Sequence, residues 1–196
     1  MYARILKNIS RFIQLNEAET AYFTSLLQER KVSKKEFLTK EGEICRHTYF
    51  VNKGCLRTFY TDKEGGEHNV SLAIEDWWAG DLYGQLTGKP ARFNVIAMEA
   101  SDLLAIEKKS QEELYLKIPK FERFFRILAQ NAYVASQERI LATMTETAEE
   151  RYLHFRDRYP EMDKRIPQQH IASYLGITPE SLSRVRKNLT RKNKIN

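Results

Sequence analysis

The segment that most constrains the fold lies near the end of the 196-residue chain and reads IPQQHIASYLGITPESLSRVRKNL, residues 166–189. Its apolar residues recur at three- and four-residue steps on both sides of Gly176, which predicts two short helices that pack through apolar faces. These residues are Ile166, Ile171, Ala172, Leu175, Ile177, Leu182, Val185 and Leu189. Because glycine readily adopts the left-handed backbone that ends a helix, the segment is typical of a helix-turn-helix.

The second of these helices has a well-marked predicted start. Thr178 is a candidate N-cap, and Pro179 suits the first helical position, where a missing N–H costs little. Ile177 is expected to be buried in the turn. The outer face of the helix carries polar residues, namely Glu180, Ser181, Ser183, Arg184 and Lys187. A helix of this size fits the major groove of DNA, where an arginine in its first two turns can bind guanine.

The same end of the chain carries the whole basic excess. From residue 164 onward there are eight lysines and arginines against one acidic residue, whereas residues 1–163 hold 24 basic and 25 acidic side chains. This distribution is typical of a protein that contacts nucleic-acid phosphates at one end. A solvated, disordered basic tail is the alternative, but the apolar faces of the two predicted helices argue against it.

The pattern upstream changes from helical to strand-like. Residues 3–30 are amphipathic and predict two short helices, the second capped by Asn16 with Glu19 three residues later. From residue 34 to 106 the apolar period is two, and strand-like runs at 48–51, 55–61, 68–74 and 93–98 are separated by glycine-, proline- and asparagine-containing breaks. Short strands at this spacing predict an antiparallel sandwich or roll.

A long helix is predicted to begin at Pro119 and to reach about residue 145. The residues that recur at helical steps start with bulky aromatics and thin to alanines: Phe121, Phe124, Phe125, Leu128, Ala132, Ala135, Arg139 and Ala142. We expect this stripe to form a parallel homodimer seam, with packing on the chain's own sheet as the alternative. Thr147 and Glu150 predict a capping box for a further helix over residues 148–159, which Pro160 ends, with a linker at 163–165.

Several classes of protein do not fit the sequence. No apolar run is long enough to span a membrane and the N-terminal sequence lacks signal-peptide features, so we expect a cytoplasmic protein. Cys45 and Cys55 cannot build a disulfide framework or a four-ligand zinc or iron–sulfur site, and we expect two buried thiols. The four histidines are scattered, and no phosphate-binding loop or nucleophile motif occurs. We therefore predict neither an enzyme nor a bound cofactor or metal.

The order of helix pair, antiparallel roll, long helix and helix-turn-helix resembles the Crp/Fnr family of bacterial transcription regulators over essentially the whole chain. The stretch FLTKEGEICRHTYFVNKGCLRTFYTDKEGGEHNVSLAIEDWWAGD, residues 37–81, is similar to the family's cyclic-nucleotide-binding roll, and residues 166–189 are similar to its helix-turn-helix. The resemblance implies an α+β fold with three parts. These are a cyclic-nucleotide-binding-like sensory domain over residues 1–117, a long dimerisation helix over 118–145 and a DNA-binding domain over 146–196.

Two features depart from the family's DNA-binding domain. Pro179 stands where many members have an arginine, so one base contact is expected to be absent and the preferred DNA site to differ. The family also continues past the second helix into a β-wing, whereas this chain stops at residue 196. We expect a reduced or missing wing, which either is natural or results from a truncated sequence.

The resemblance implies roles for single residues of the motif. Glu180 and Arg184 fall where the family reads base edges, whereas Gln169, Thr178 and Ser181 fall where it contacts phosphates. With their neighbours on the same face, the predicted DNA-binding residues are Gln168, Gln169, Thr178, Glu180, Ser181, Ser183, Arg184 and Lys187.

The effector site departs further from the family pattern. Members that bind cyclic AMP use Gly-Glu-Leu and, further along, Arg-Ser or Arg-Ala, whereas this chain has AGDLYGQLTGKPARFNVIAME at residues 79–99. The nearest equivalents, with a polar pair on the long helix, are Asp81, Leu82, Arg92, Phe93, Ser136 and Gln137. Ala91 falls on the phosphate ligand's position and a buried phosphate needs a paired cation, so we expect no binding of cyclic AMP. Trp77 and Trp78 either line a more apolar pocket or simply pack.

Together these features predict a homodimeric, sequence-specific transcription regulator with an effector-sensing roll. Its predicted partners are duplex DNA with an inverted-repeat site and, as the resemblance implies, RNA polymerase, with no membrane partner. The alternative is a ligand-binding or protein-interaction module that has lost sequence-specific reading, which Pro179 and the missing wing suggest.

Overall fold

The computed structural model describes residues 2–192. In this part of the chain the helices are α1 (Ala3–Ile9), α2 (Glu17–Ser25), α3 (Leu82–Thr87), α4 (Lys108–Lys117), α5 (Lys120–Thr145), α6 (Ala148–Arg158), α7 (Pro160–Arg165), α8 (Gln168–Leu175) and α9 (Pro179–Lys192). The strands are β1 (Leu27–Val32), β2 (Phe37–Thr39), β3 (His47–Lys53), β4 (Leu56–Thr61), β5 (Glu67–Ala73), β6 (Trp78–Ala79), β7 (Asn94–Ala97) and β8 (Ser101–Glu107). The mixed α+β class is confirmed.

The strands form two four-stranded sheets, in the orders β1-β8-β3-β6 and β2-β7-β4-β5. Pairing is antiparallel between β1 and β8, β3 and β8, and β4 and β7. A buried cluster that draws on both sheets includes Val51, Leu56 and Leu103. The four predicted strands therefore correspond to β3, β4, β5 and β7, and the predicted antiparallel roll is confirmed.

Strand β1 corrects the prediction of helix up to residue 30. Its two ends, Leu27 and Val32, are buried, whereas the four residues between them are exposed. The strand pairs with β8 along its whole length, from Leu27 opposite Ile106 to Val32 opposite Ser101. Because this partner lies far along the chain, no local periodicity marks the strand. Strand β8 and helices α3 and α4 were likewise not predicted.

Helices α1 and α2 pack with α4 and the start of α5 around one apolar cluster. Its fully buried members include Ile5, Phe23, Leu114, Phe121 and Phe124. The rings of Phe23 and Phe121 stack with their centroids 4.7 Å apart. The predicted cap of α2 is confirmed, because the Asn16 side chain accepts the Glu19 N–H at 2.8 Å and the Glu19 carboxylate accepts the Asn16 N–H at 2.9 Å.

The chain divides into two compact units, and the division falls within α5. One unit contains Val70–Gln130 and the chain up to Gly66, and the other contains Glu67–Asn69 and the chain from Asn131 onward. The predicted long helix is confirmed, since α5 has 26 residues. The three domain ranges given above stay predictions.

The second half of α5 differs from the predicted stripe. Ala135, Arg139 and Ala142 are half-buried, and the Arg139 guanidinium lies 4.9 Å from the centre of the Tyr174 ring in the same unit. Large apolar side chains are exposed instead on other faces, namely Tyr133, Val134, Ile140, Leu141 and Met144. Side chains of the same unit therefore cover part of the alanine stripe, and the homodimer seam on this face stays a prediction.

Helices α6 to α9 form the core of the second unit. The capping box of α6 is confirmed, with the Glu150 N–H donated to the Thr147 hydroxyl at 3.3 Å and the Thr147 N–H donated to Glu150 at 2.8 Å. The predicted linker at 163–165 is wrong, because these residues belong to α7. Pro160 is the first residue of this helix, where its fixed φ favours a helical start. The buried hydrophobic residues of this unit are Tyr152, Phe155, Met162, Ile166, Ile171, Ala172, Leu175, Leu182 and Val185.

The prediction of a reduced or missing wing concerns the chain after α9, which lies outside the described residues. Within residues 2–192 no helix combines the length and the apolar character that crossing a membrane requires.

Candidate nucleic-acid interface

Helices α8 and α9 meet at a tight turn that the sequence predicts in most details. Gly176 closes α8 in the left-handed region with φ 65°. The Thr178 hydroxyl accepts the Ser181 N–H at 3.2 Å, which confirms Thr178 as the N-cap of α9, and Pro179 is the first helical residue. Ile177 is half-buried and not fully buried as predicted. The motif is thus a helix-turn-helix whose second helix starts at a fixed point.

The outer sides of the two helices form a concave surface that encloses about 610 Å³. We call it the recognition surface, and it is lined by Gln168, Pro179, Glu180, Ser183, Arg184 and Lys187. Five of its six members are among the eight predicted DNA-binding residues. The structure therefore brings most of the predicted set together.

The other three predicted residues lie beside the recognition surface. Gln169 is exposed on α8, and its amide nitrogen lies 3.4 Å from the His170 ring. Thr178 and Ser181 are engaged with each other at the N-cap, and the Ser181 hydroxyl also accepts Arg184 Nη2 at 3.5 Å. That contact ties the guanidinium of Arg184 to the first turn of its own helix.

One basic residue of α9 points away from the recognition surface. Arg186 is half-buried and donates to the Asp163 carboxylate at 3.3 Å. The same carboxylate accepts the Tyr152 hydroxyl at 3.1 Å, and burial, followed by the Asp163 charge, raises the pKa of that phenol. The sequence indicates Arg186 only as one of the eight basic residues from residue 164 onward. Its spacing from Leu182 and Leu189 on the same helix places it at the inner edge and could have revealed this role.

The first unit contains a second concavity, of about 560 Å³. We call it the roll hollow, and its lining residues are Glu41, Gly42, Tyr60, Ala91, Arg92 and Phe93. Arg92 and Phe93 are predicted effector residues, whereas Glu41, Gly42 and Tyr60 were missed because they lie on distant parts of the chain. The Arg92 guanidinium lies 5.0 Å from the centre of the Tyr83 ring. The concavity thus combines aromatic walls with one cation and one acid.

The other predicted effector residues do not line the roll hollow in the described chain. Asp81 is fully buried and accepts the Arg92 N–H at 3.2 Å, so its carboxylate holds the backbone behind the cavity wall. Leu82 is exposed on α3. Ser136 is half-buried and Gln137 is exposed, and both belong to the second unit.

Trp78 and the two cysteines are packing residues in the described structure, whereas Trp77 is 37% exposed. The Trp78 indole donates to Asn8 at 3.1 Å and its ring contacts Phe125 with centroids 5.2 Å apart. The predicted burial of Cys45 and Cys55 is confirmed. Among residues 2–192 no group of three His, Cys, Asp or Glu side chains could hold a metal ion.

Comparison with known proteins shows what the chain is similar to. The pattern of the cyclic nucleotide-binding domain family matches residues 29–117. The fumarate and nitrate reduction regulatory protein of Vibrio cholerae is 28% identical over 185 residues, which cover 87% of this chain and 72% of that protein. The regulatory protein HlyX of Actinobacillus pleuropneumoniae is 28% identical over 189 residues, which cover 87% of this chain and 75% of that protein.

A solved structure shows the same fold. FixK2 from Bradyrhizobium japonicum superposes with a TM-score of 0.74 at 20% identity, over 85% of this chain and 86% of that one. The chain is thus similar to regulators with a cyclic-nucleotide-binding-like roll. The named relatives are regulatory proteins, which agrees with the predicted resemblance to transcription regulators of the Crp/Fnr type. Such regulators are not enzymes, in agreement with the prediction.

Proposed function

We propose that the protein is a homodimeric regulator that binds DNA sequence-specifically through the recognition surface and senses an effector through its roll. The observation that carries the proposal is the convergence of Glu180, Ser183, Arg184 and Lys187 with Gln168 on one exposed surface of a helix-turn-helix. The similarity to regulatory proteins supports it. Under this proposal the protein acts in the cytoplasm, where it binds duplex DNA and contacts RNA polymerase as a further partner.

The chemistry of the recognition surface suits base reading. Glu180 and Arg184 are four residues apart on α9 and therefore lie on the same side of the helix. A carboxylate accepts from the amino group of cytosine, and a guanidinium donates to O6 and N7 of guanine. Lys187, one turn further on, suits a phosphate contact, which gives affinity without sequence preference. Pro179 supplies no side-chain donor, so this position reads by shape alone.

A dimer is supported by the exposed apolar residues of α5. Val134, Leu141 and Met144, with the polar Gln137 between the first two, follow one another at steps of three, four and three residues, the spacing of a coiled-coil seam. We call the three apolar residues the apolar seam. Leu141 is 60% exposed and Met144 is 77% exposed, an unfavourable state for a helix that stays alone in water. A parallel pair of α5 helices covers them and presents two recognition surfaces to an inverted repeat.

The seam is testable with two matched variants. Leu141→Arg places a charge in the apolar seam, whereas Ala132→Arg places the same charge on the alanine stripe at the opposite side of α5. Sedimentation velocity should show monomers for Leu141→Arg and dimers for the native chain and Ala132→Arg. Dimers of Leu141→Arg together with monomers of Ala132→Arg would support the stripe first predicted from the sequence.

The roll hollow is the proposed effector site, and its lining does not favour cyclic AMP. Ala91 offers no charge, and the Glu41 carboxylate would face an entering phosphate. Phe93 fills space where the family resemblance implies a small residue. An effector can shift the dimer only if it binds one arrangement better than the other.

Selection of bound sequences from a random DNA pool tests the proposed function. The native chain should enrich an inverted repeat, and the double variant Glu180→Ala/Arg184→Ala should enrich none while keeping salt-dependent binding to random DNA. If the native chain enriches no sequence, the alternative of a module without sequence-specific reading is supported instead.

A further inference from the structure

The recognition helix α9 is held from behind by polar groups of α6 and α7 that do not line the recognition surface. At the start of the motif's turn, Arg151 Nη1 donates to the Leu175 carbonyl at 2.8 Å and lies 3.5 Å from the Gly176 carbonyl. Arg151 Nε is buried and has no hydrogen-bond partner within the described chain. The last carbonyls of α8 are therefore the groups that orient this guanidinium.

A second contact holds α9 about two turns after its first residue, at Arg186. Asp163 of α7 accepts Arg186 Nη1 at 3.3 Å and the Tyr152 hydroxyl at 3.1 Å, and the Arg186 guanidinium lies 5.7 Å from the centre of the Tyr152 ring. The Asp163 side chain is only 12% exposed. Because the pair is partly removed from water, it is screened less by salt than a surface pair.

The two contacts restrain different motions of the helix. The Arg151 contact fixes the turn through which α9 enters, and the Asp163 contact fixes the rotation of α9 about its own axis. A rotation moves Glu180 and Arg184 sideways relative to base edges, whereas phosphates along a groove remain within reach of a long lysine side chain. Small errors in orientation therefore weaken base reading more than phosphate binding.

We infer that Asp163 and Arg151 are positioning residues that set sequence discrimination by fixing the orientation of the recognition helix. The inference rests on the proposed function, since it concerns how the recognition surface reads DNA. It extends that function to two residues that would not touch DNA. Arg186 is assigned to the same rear contact and not to phosphate binding.

The decisive variant is Asp163→Asn, with Asp157→Asn as its matched control. Asp157 is 68% exposed on α6 and pairs with its neighbour Arg156 at 3.1 Å. Each variant removes one negative charge, so charge alone predicts slightly tighter binding to every DNA sequence for both. The positioning role predicts that the ratio of specific to random affinity falls about five- to tenfold for Asp163→Asn only, as for residues coupled by direct contact.

A second variant keeps the net charge unchanged. Arg151→Lys retains the cation but replaces the guanidinium, whose Nη1 lies near both carbonyls, with a compact ammonium on a flexible stem, so the ratio should fall here as well. Binding is measured by fluorescence anisotropy on the selected site and on a scrambled duplex, well below the thermal midpoint of each variant. The dependence of random binding on salt should stay unchanged, because the number of phosphate contacts is the same.

The possible results separate the two claims. An unchanged ratio in both variants, with a discriminating native chain, overturns the positioning role and leaves the proposed function standing. Equal loss on specific and scrambled DNA also overturns it, since that result indicates general damage to the fold. If the native chain shows no preferred DNA sequence, the proposed function is wrong, and this inference, which rests on it, is wrong as well. If Asp163→Asn does not fold, Arg151→Lys decides alone.

Discussion

The recognition surface and the roll hollow are concavities of similar size that both carry charged side chains, but the chain builds them differently. The recognition surface comes from two consecutive helices, and all its lining residues lie between Gln168 and Lys187. The roll hollow draws on three separate stretches of chain, at residues 41–42, 60 and 91–93. Consequently five of six lining residues were predicted for the first and two of six for the second.

The difference shows where side chains derive their positions. On a helix, residues three and four apart share a face, so a sequence pattern already specifies a surface. In a roll, neighbours across strands are set by register and by turns that close over long separations. Asp81 illustrates the second case, because its carboxylate accepts the Arg92 N–H behind the wall, eleven positions along the chain.

The largest expected effect is on the free energy of unfolding, and it differs between a side chain beneath the recognition surface and one in the roll hollow. Leu182 lies under the recognition surface and is fully buried, so Leu182→Ala should lower the free energy of unfolding of the second unit by about 2–5 kcal/mol. Phe93 is half-buried in the roll hollow, and Phe93→Ala should cost about 1 kcal/mol. Urea titrations followed by circular dichroism measure both.

Tryptophan fluorescence makes this comparison specific to one unit. The chain has two tryptophans, Trp77 and Trp78, and both belong to the first unit. Leu182→Ala should shift the helical dichroism transition and leave the fluorescence transition in place. If both transitions shift together, the two units unfold as one and the contrast between their supports is lost.

The next effect separates the recognition surface from the roll hollow by function. Arg184→Ala should cost about 1–3 kcal/mol on the selected DNA site and relax the preference at one base pair. Lys187→Ala should weaken specific and random DNA equally, because a phosphate contact carries no sequence information. Arg92→Ala removes the same charge from the roll hollow and should leave both affinities unchanged without effector. Equal losses on specific and random DNA for Arg184→Ala would exclude it as a base reader.

The same distinction explains how much of the fold the sequence predicts. The caps at Asn16 and Thr147, the turn at Gly176 and the long helix α5 depend on residues within one or two turns, and all four were predicted correctly. Strand β1 was predicted as helix because only its pairing with β8 makes it a strand. The contact of Arg139 with Tyr174 was not predicted, because the pattern of α5 alone does not show which side chains of other helices pack on it.

The caps give a smaller effect that should be equal in the two units. Thr147→Ala in the second unit and Asn16→Ala in the first each remove the side chain that accepts an N–H in the first turn, so each should cost about 1 kcal/mol. Circular dichroism should report the loss of stability caused by Thr147→Ala, and tryptophan fluorescence the loss caused by Asn16→Ala. Unequal costs would show that surrounding packing, and not the local cap, determines helix starts here.

The carboxylates of these caps add a dependence on pH with a definite sign. Hydrogen bonds from Thr147 lower the pKa of Glu150, and the hydrogen bond from Lys120, followed by that of Asn16, lowers the pKa of Glu19. A lowered folded-state pKa means stability that is present above the usual carboxyl pKa and is lost as pH falls through the lowered value. Glu150→Gln should therefore lower the unfolding midpoint near neutral pH and have no effect in strong acid. A difference that persists in strong acid would assign the effect to packing and not to charge.

The smallest expected effect is the absence of a shift in the unfolding of the first unit when cyclic AMP is added. A ligand at a hundred times its dissociation constant stabilises the folded state by about 2.7 kcal/mol, which fluorescence-detected unfolding of the first unit would resolve. Cyclic AMP should give no shift, because its phosphate would meet the Glu41 carboxylate and a wall that contains Phe93 and uncharged Ala91. Glu41→Gln together with Phe93→Ala removes the repulsion and the bulk, and a shift that appears only in this double variant would locate the barrier in the lining. A shift with the native chain would mean that Arg92 can leave the Tyr83 ring to pair with the phosphate, and the roll hollow would then resemble the recognition surface in presenting a usable cation.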